Sequence, residues 1–252
     1  LILVATAAIA AGCALSDSLR QIWLSTPETA SEAAIPINEG STTPFPTSSE
    51  TLSPTATQEP TLTPTPEGCR DEGGSVQRLQ IDSASLGGPL TVSIYLPPCY
   101  QRTSRYPVLY LLHGQTMDDL YWLDLGVKQI ADQAIVNGQT PFMMVFPFEE
   151  RNFDPPTESK FYDAMLYDLI PWVDANYATC TERACRAIGG ISRGGGWAIR
   201  LSVRNFDLFG TFGGHSFGLM YGEGSVVQKQ LETHTTDEFP RIYLDRGEND
   251  ML

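Results

Sequence analysis

From Gly74 onward, apolar and polar residues follow two alternating periods. Leu79 and Ile81 alternate with polar neighbours, Gly87-Gly88 turns the chain, and Leu90-Thr-Val-Ser-Ile-Tyr-Leu96 alternates again. A period of two predicts an antiparallel hairpin with one buried face. Pro107-Val-Leu-Tyr-Leu-Leu112 and Phe142-Met-Met-Val-Phe146 are continuously apolar instead, as expected of strands covered on both faces of a parallel sheet. Between and after them the period becomes helical. Val127, Ile130, Ala131, Ala134 and Ile135 share one face, with Asn137-Gly138 as the stop signal. Tyr162, Met165, Leu169, Val173 and Tyr177 share another, and Pro171 should bend that helix. Asp163, Asp168 and Asp174 are the polar face of the same helix rather than a metal cluster. Arg186-Ala-Ile-Gly189 reads as a strand and Gly194 to Arg204 as a helix, with further strands at 210–214 and 241–245. Strands that alternate with helices predict an α/β architecture with a mostly parallel sheet and right-handed crossovers.

One junction in this pattern carries candidate chemistry. Gly190-Ile191-Ser192-Arg193-Gly194 lies between a predicted strand and a predicted helix, with a five-residue turn expected between them. G-x-S-x-G in that setting is the nucleophile-elbow pattern. A side chain at Gly190 or Gly194 would meet the strand or the helix. The turn would lift the Ser192 hydroxyl above the C-terminal edge of a central strand, and the N–H of Arg193 would face a developing oxyanion.

Charge and composition narrow the partners. The chain has 252 residues, a 42% apolar share and a formal net charge of −14. That apolar share supports a real core, and the negative charge argues against nucleic acid or an anionic membrane surface as an electrostatic partner. Residues 1–11 are almost wholly apolar but too few to span a bilayer. They read as the core of an export signal whose start is missing. Ile9-Ala-Ala-Gly-Cys13 resembles a bacterial lipobox, with Cys13 as the lipidated residue and Ala10 where Leu is commonest; an ordinary secretory signal is the alternative. Residues 14–68 are a disordered linker, rich in Pro, Thr and Ser from about residue 25, and its last 28 residues could reach about 90 Å in polyproline form. A folded domain is expected over 69–252. Export permits disulfides, and Cys69–Cys99 and Cys180–Cys185 are the favoured pairs among three connectivities. A zinc site is disfavoured, because the spacings lack a C-x-x-C pair and nearby histidines. No cofactor or metal is expected.

Leu112-His-Gly, Tyr167-Asp-Leu-Ile-Pro-Trp-Val-Asp-Ala-Asn-Tyr177, Ala187-Ile-Gly-Gly-Ile-Ser-Arg-Gly-Gly-Gly-Trp-Ala and Phe206-Asp-Leu-Phe-Gly-Thr-Phe212 occur in that order. Over roughly residues 75–252 the chain thus resembles the esterase branch of the α/β-hydrolases, which includes esterase D, enterochelin esterases, feruloyl and acetylxylan esterases and the mycolyltransferases. The resemblance implies an α/β-hydrolase fold, incomplete at its C-terminus, and a serine esterase acting on a small-molecule or glycan-linked ester. It implies Ser192 as nucleophile, Gln115 and Arg193 as backbone donors of the oxyanion hole, and Asp250 as the triad acid, with Asp245 as the other candidate. Arg193 departs from the usual small or apolar residue, and a cation there is expected to favour carboxylate-bearing substrates.

The order in this fold is Ser, acid, His. His113, His215 and His234 do not match the base position, so the base is expected beyond Leu252, and the chain as given is expected to be nearly inactive. His113 is expected to brace its own loop, and His215 precedes the acid and follows the wrong strand. Glu149-Glu150-Arg151, at the same sheet edge, reads as a solvated loop, with a lining of the substrate cleft as the alternative. Tyr121 and Trp122 are equally compatible with helix packing and with stacking on an aromatic acyl group. An acyltransferase and a catalytically degenerate surface-binding module remain open alternatives on the same fold.

Overall fold

The computed structural model describes residues 71 and 73–250. Cys13, the linker and Cys69 lie outside the described residues. Seven strands form one sheet in the order β1-β2-β4-β3-β5-β6-β7. The strands are β1 (Ser75–Ser83), β2 (Gly88–Leu96), β3 (Val108–Leu112), β4 (Met143–Pro147), β5 (Arg186–Ile191), β6 (Thr211–His215) and β7 (Arg241–Asp245). β1 and β2 form the expected hairpin, turning through Gly87 at φ 69°, and β2 runs antiparallel to β4. The remaining pairs are parallel, so the predicted mixed, mostly parallel sheet is what forms.

Helices cover both faces of the sheet. α1 (Tyr121–Asp124) and α2 (Val127–Val136) pack on one face, where Ala131 and Ile135 meet Tyr95, Met144 and Phe146. On the other lie α3 (residues 161–176) and α4 (Arg193–Arg204), the second placing Trp197, Ala198 and Leu201 among Tyr110, Leu112, Ile188 and Phe212. The alternation of Leu109 and Leu111 towards one face with Tyr110 and Leu112 towards the other explains the unbroken apolar runs. β2 departs from its expected single buried face, since Val92 to Leu96 are all buried. Its neighbour β4 makes it an interior strand, and the polar Ser93 is accommodated by bonding to Asp119.

α3 is a composite of Phe161–Asp163, a π-helical Ala164–Leu169, and Ile170–Asn176. Pro171 sits just beyond the π segment, lacks a backbone N–H, and would press on the carbonyl four residues back. Widening the preceding turns relieves that clash, which accounts for the π segment before the proline. Two helices, α1 and α5 (Glu223–Thr233), were not legible in the periodicity, being short or lacking an apolar face. Cys180 and Cys185 are bonded as expected, with Cα atoms 5.7 Å apart. Cys99 is also in a disulfide.

Three carboxylates pin the hairpin to the rest. Asp119, just after β3, has a fully buried carboxylate that accepts two hydrogen bonds from Arg78 at 2.9 Å and one from Ser93 Oγ at 2.6 Å. Burial pushes its carboxyl up, but the bonds from Arg78 and Ser93 outweigh this and hold it below the ordinary 3.8. Asp132 and Asp168 are likewise held low against the pull of burial, by Lys128, Gly74 and Tyr95 in one case and by Ser83 and Ser85 in the other. The unfolded chain therefore takes up protons before the folded one does. This stabilisation is complete above the ordinary carboxylate pKa and is lost as pH falls through the depressed folded values. Urea midpoints should decline gently from pH 7 to 5, where the unfolded chain protonates His113, which the fold keeps neutral, and drop further below about pH 4 as the carboxylates titrate. Asp119→Asn should cost about 1–3 kcal/mol at pH 7 and flatten that acid limb. An acid limb as steep as the parent's would contradict the assignment.

Candidate active site

β5 continues through Ile191 and α4 begins at Arg193, so the predicted five-residue turn contracts to Ser192 alone. Ser192 adopts φ 51°, ψ −118°, a region that residues with a side chain rarely occupy. Its backbone N–H donates to the carbonyl of His215 at 3.0 Å, and its carbonyl accepts from Gly196 at 3.0 Å. Both flanking glycines are required. A Cβ on Gly190 would lie 2.5 Å from the carbonyl carbon of Gly194 and 2.7 Å from the oxygen of Leu112. One on Gly194 would overlap the carbonyl oxygens of Leu112 and His113. The sequence-predicted elbow is therefore present, with the N-terminus of α4 directly beneath the half-buried serine.

The loop after β3 closes the other side. Gly114 and Met117 bracket a turn, with Met117 N–H bonded to the Gly114 carbonyl at 3.2 Å, Thr116 at φ 68°, and Gln115 exposed. His113 is buried beneath it, and its Nε2 accepts from the Glu149 N–H at 2.9 Å. Nδ1 therefore carries the proton and donates to the Gly114 carbonyl at 2.7 Å. Burial lowers the pKa of this imidazole, in keeping with the neutral form. His113 braces its own loop, as expected.

Two expectations fail here. Glu149 is not part of a solvated loop: it is 4% exposed. Its carboxylate accepts from Arg193 Nε at 2.7 Å and from the other guanidinium nitrogen at 2.5 Å, and from Trp197 Nε1 at 2.8 Å. The charge of Arg193 is thus neutralised inside the protein, and the expected attraction for carboxylate-bearing substrates has no free cation behind it. The sequence offered little warning, since a Glu after a buried strand is most often at the surface.

The histidines and acids sort by place. His234 ends α5, stacked on Phe206 with ring centres 4.2 Å apart. Asp250 lies in a turn after β7, its N–H bonded to Gly247 at 3.1 Å. His215 closes β6 between Ile191 of β5 and Asp245 of β7, and its Nδ1 contacts Asp245 Oδ1. Tyr243 OH donates to the other oxygen of that carboxylate at 3.0 Å. The His215–Asp245 pairing went unread because it depends on strand order, although Asp245 ends one predicted strand and His215 immediately follows another.

A groove of about 560 Å³ opens beside the Gln115 loop, lined by Thr116, Met117, Tyr121, Phe148, Asn152 and Phe153. The charged residues on its rim are Asp118, Asp124 and Glu150, all acidic. Tyr121 faces this groove, whereas Trp122 packs inward and donates to the Leu112 carbonyl at 3.1 Å.

With this geometry in view, comparison with known proteins places the chain. The family described as "Putative esterase" matches residues 83–252. An endo-1,4-beta-xylanase/feruloyl esterase of Xylanibacter ruminicola is 31% identical over 153 residues, 56% of this chain and 21% of that protein. An esterase of Mycobacterium tuberculosis is 28% identical over 147 residues, 54% of this chain and 31% of that protein. The chain thus spans less than a third of the length of these relatives. Among solved structures, the feruloyl esterase module of Clostridium thermocellum, an S954A mutant in complex with sinapinate, superposes with a TM-score of 0.60 at 22% identity, covering 74% of this chain and 72% of the module. A fluorophosphonate-binding serine hydrolase of Staphylococcus aureus gives a TM-score of 0.59 at 16% identity, covering 70% and 80%. These neighbours share the α/β-hydrolase fold, and the chain belongs to the Putative esterase family.

Proposed function

We propose that this domain is a serine carboxylic-ester hydrolase in which Ser192 forms an acyl-enzyme. The observation that carries the reading is the Ser192 backbone, at φ 51° and fenced by two glycines that tolerate no Cβ. That arrangement stores strain and aims the hydroxyl away from the sheet, which a structural serine does not require. In the proposed reaction Ser192 Oγ attacks the ester carbonyl while a histidine takes its proton. The N–H groups of Arg193 and Gln115 hold the oxyanion, the alcohol leaves with the proton, and water then releases the acid. Asp250 orients the histidine, which in the family order follows the acid in sequence.

One observation favours a second base. His215 already contacts a carboxylate through Nδ1, which leaves Nε2 as the free basic nitrogen. The two readings separate in the whole protein. Ser192→Ala should abolish p-nitrophenyl acetate turnover, and undiminished turnover would refute the nucleophile. Asp250→Asn should lower kcat by roughly 10²–10⁴-fold, while His215→Gln should leave it within about fivefold. The reverse pattern would transfer the base to His215 and the acid to Asp245.

The preferred substrate is proposed to be uncharged near the scissile bond, with an aromatic acyl group as the first class to test. Tyr121, Phe148 and Phe153 supply apolar ring surface beside the oxyanion loop, and the acidic rim repels anions. The names of the feruloyl esterase relatives support the same class. The apolar leader and Cys13 support export and anchoring by an N-terminal lipid. At low salt, kcat/KM for p-nitrophenyl acetate should exceed that for p-nitrophenyl hemisuccinate by about tenfold or more. The gap should narrow in 0.5 M salt and in Glu150→Gln. A preference for the hemisuccinate would overturn this reading.

A further inference from the structure

We propose that Glu149 is the positioning residue of the oxyanion hole, holding both of its donors in place from one point behind the site. This rests on Ser192 being the nucleophile. The two donors come from segments about 80 residues apart in sequence, the loop after β3 and the first turn of α4, and each must be fixed independently of substrate. Glu149 reaches both.

Its backbone fixes the first donor. The Glu149 N–H bonds to His113 Nε2, so Nδ1–H is left to bond to the Gly114 carbonyl. That carbonyl belongs to the same planar unit as the Gln115 N–H, and in a trans peptide the two point in opposite directions. Holding the oxygen therefore aims the hydrogen. The Met117 N–H on the same oxygen adds a second restraint.

Its carboxylate fixes the second donor. It accepts a two-pronged bond from Arg193 and a bond from Trp197 Nε1, which lies one helical turn further along α4. Ser159 Oγ supports it at 3.3 Å, and the Arg193 guanidinium also donates to the Asp154 carbonyl at 2.9 Å. The first turn of α4 is thereby clamped at two points, and the Arg193 N–H moves only if both bonds yield. Both charged side chains are close to fully buried, 11% exposed for Arg193 and 5% for Glu149. A pair of this kind fixes geometry more than it adds stability.

Charge and position predict opposite outcomes for one substitution. Glu149→Gln leaves the Arg193 cation uncompensated near the developing oxyanion, so a purely electrostatic role predicts an unchanged or higher kcat. Positioning predicts a lower one. In the whole protein, Glu149→Gln should lower kcat for p-nitrophenyl acetate by about 10–100-fold, short of the full loss of one oxyanion donor, with KM within about threefold. Phosphonylation of Ser192 by an aryl phosphonate ester should slow by the same factor, because its transition state uses the same hole. Trp197→Phe, which keeps an aromatic ring at this position and removes the donor to Glu149, should lower kcat about 3–10-fold with KM within about threefold and some loss of thermal stability from the smaller ring, taking a smaller share of the same donor loss. If Glu149→Gln fails to fold, Trp197→Phe decides alone. An unchanged kcat in a folded Glu149→Gln, or in Trp197→Phe, overturns the proposal. A parent that the phosphonate does not label at Ser192 would instead overturn the underlying esterase reading.

Discussion

The close approach of α4 to the edge of β3 is the constraint from which the rest of this domain follows. Gly190 and Gly194 leave no room for a Cβ between helix, strand and loop, so the backbones of β3, β5 and α4 meet directly at one point. Ser192 is the residue forced to turn there. Holding a side-chain-bearing residue at positive φ costs on the order of 1–3 kcal/mol. Trp197, Ala198 and Leu201, each at most 1% exposed, bury the following helix against the sheet and offset that strain. A single buried leucine contributes about 1.5–3 kcal/mol, so the strain is held by ordinary packing.

That contact also decides the electrostatics. Because α4 starts where β5 ends, its first residue, Arg193, projects towards the end of β4 and finds Glu149. An isolated charge of either sign would be costly there, and the pair, with Trp197 Nε1 on the same carboxylate, leaves neither unmatched. The groove beside the Gln115 loop carries the acidic rim at Asp118, Asp124 and Glu150 and ring surface, while the guanidinium of the arginine after Ser192 is paired inside the protein.

Most of the fold was legible because its signals are local. The unbroken apolar runs of β3 and β4 announce a sheet covered on both faces, and G-x-S-x-G announces the elbow. What stayed hidden is long-range. The burial of Glu149 depends on Arg193, 44 residues away, and the contact of His215 with Asp245 depends on β6 and β7 being neighbours. β7 forms where expected and pairs with β6, with its apolar Ile242, Tyr243 and Leu244 each more than half exposed.

The same distinction explains why the cation after the serine is not free to attract a carboxylate-bearing substrate. Sequence position places the Arg193 backbone directly after Ser192 at the start of α4, and that inference depends only on the turn. Where its guanidinium goes depends on what the sheet edge offers, and the loop after β4 offers the Glu149 carboxylate at 2.7 Å. A side chain as long as arginine can serve a different part of the molecule from its own N–H. In the proposed reaction the backbone of residue 193 would face the chemistry, while its charge is bound to Glu149 within the scaffold.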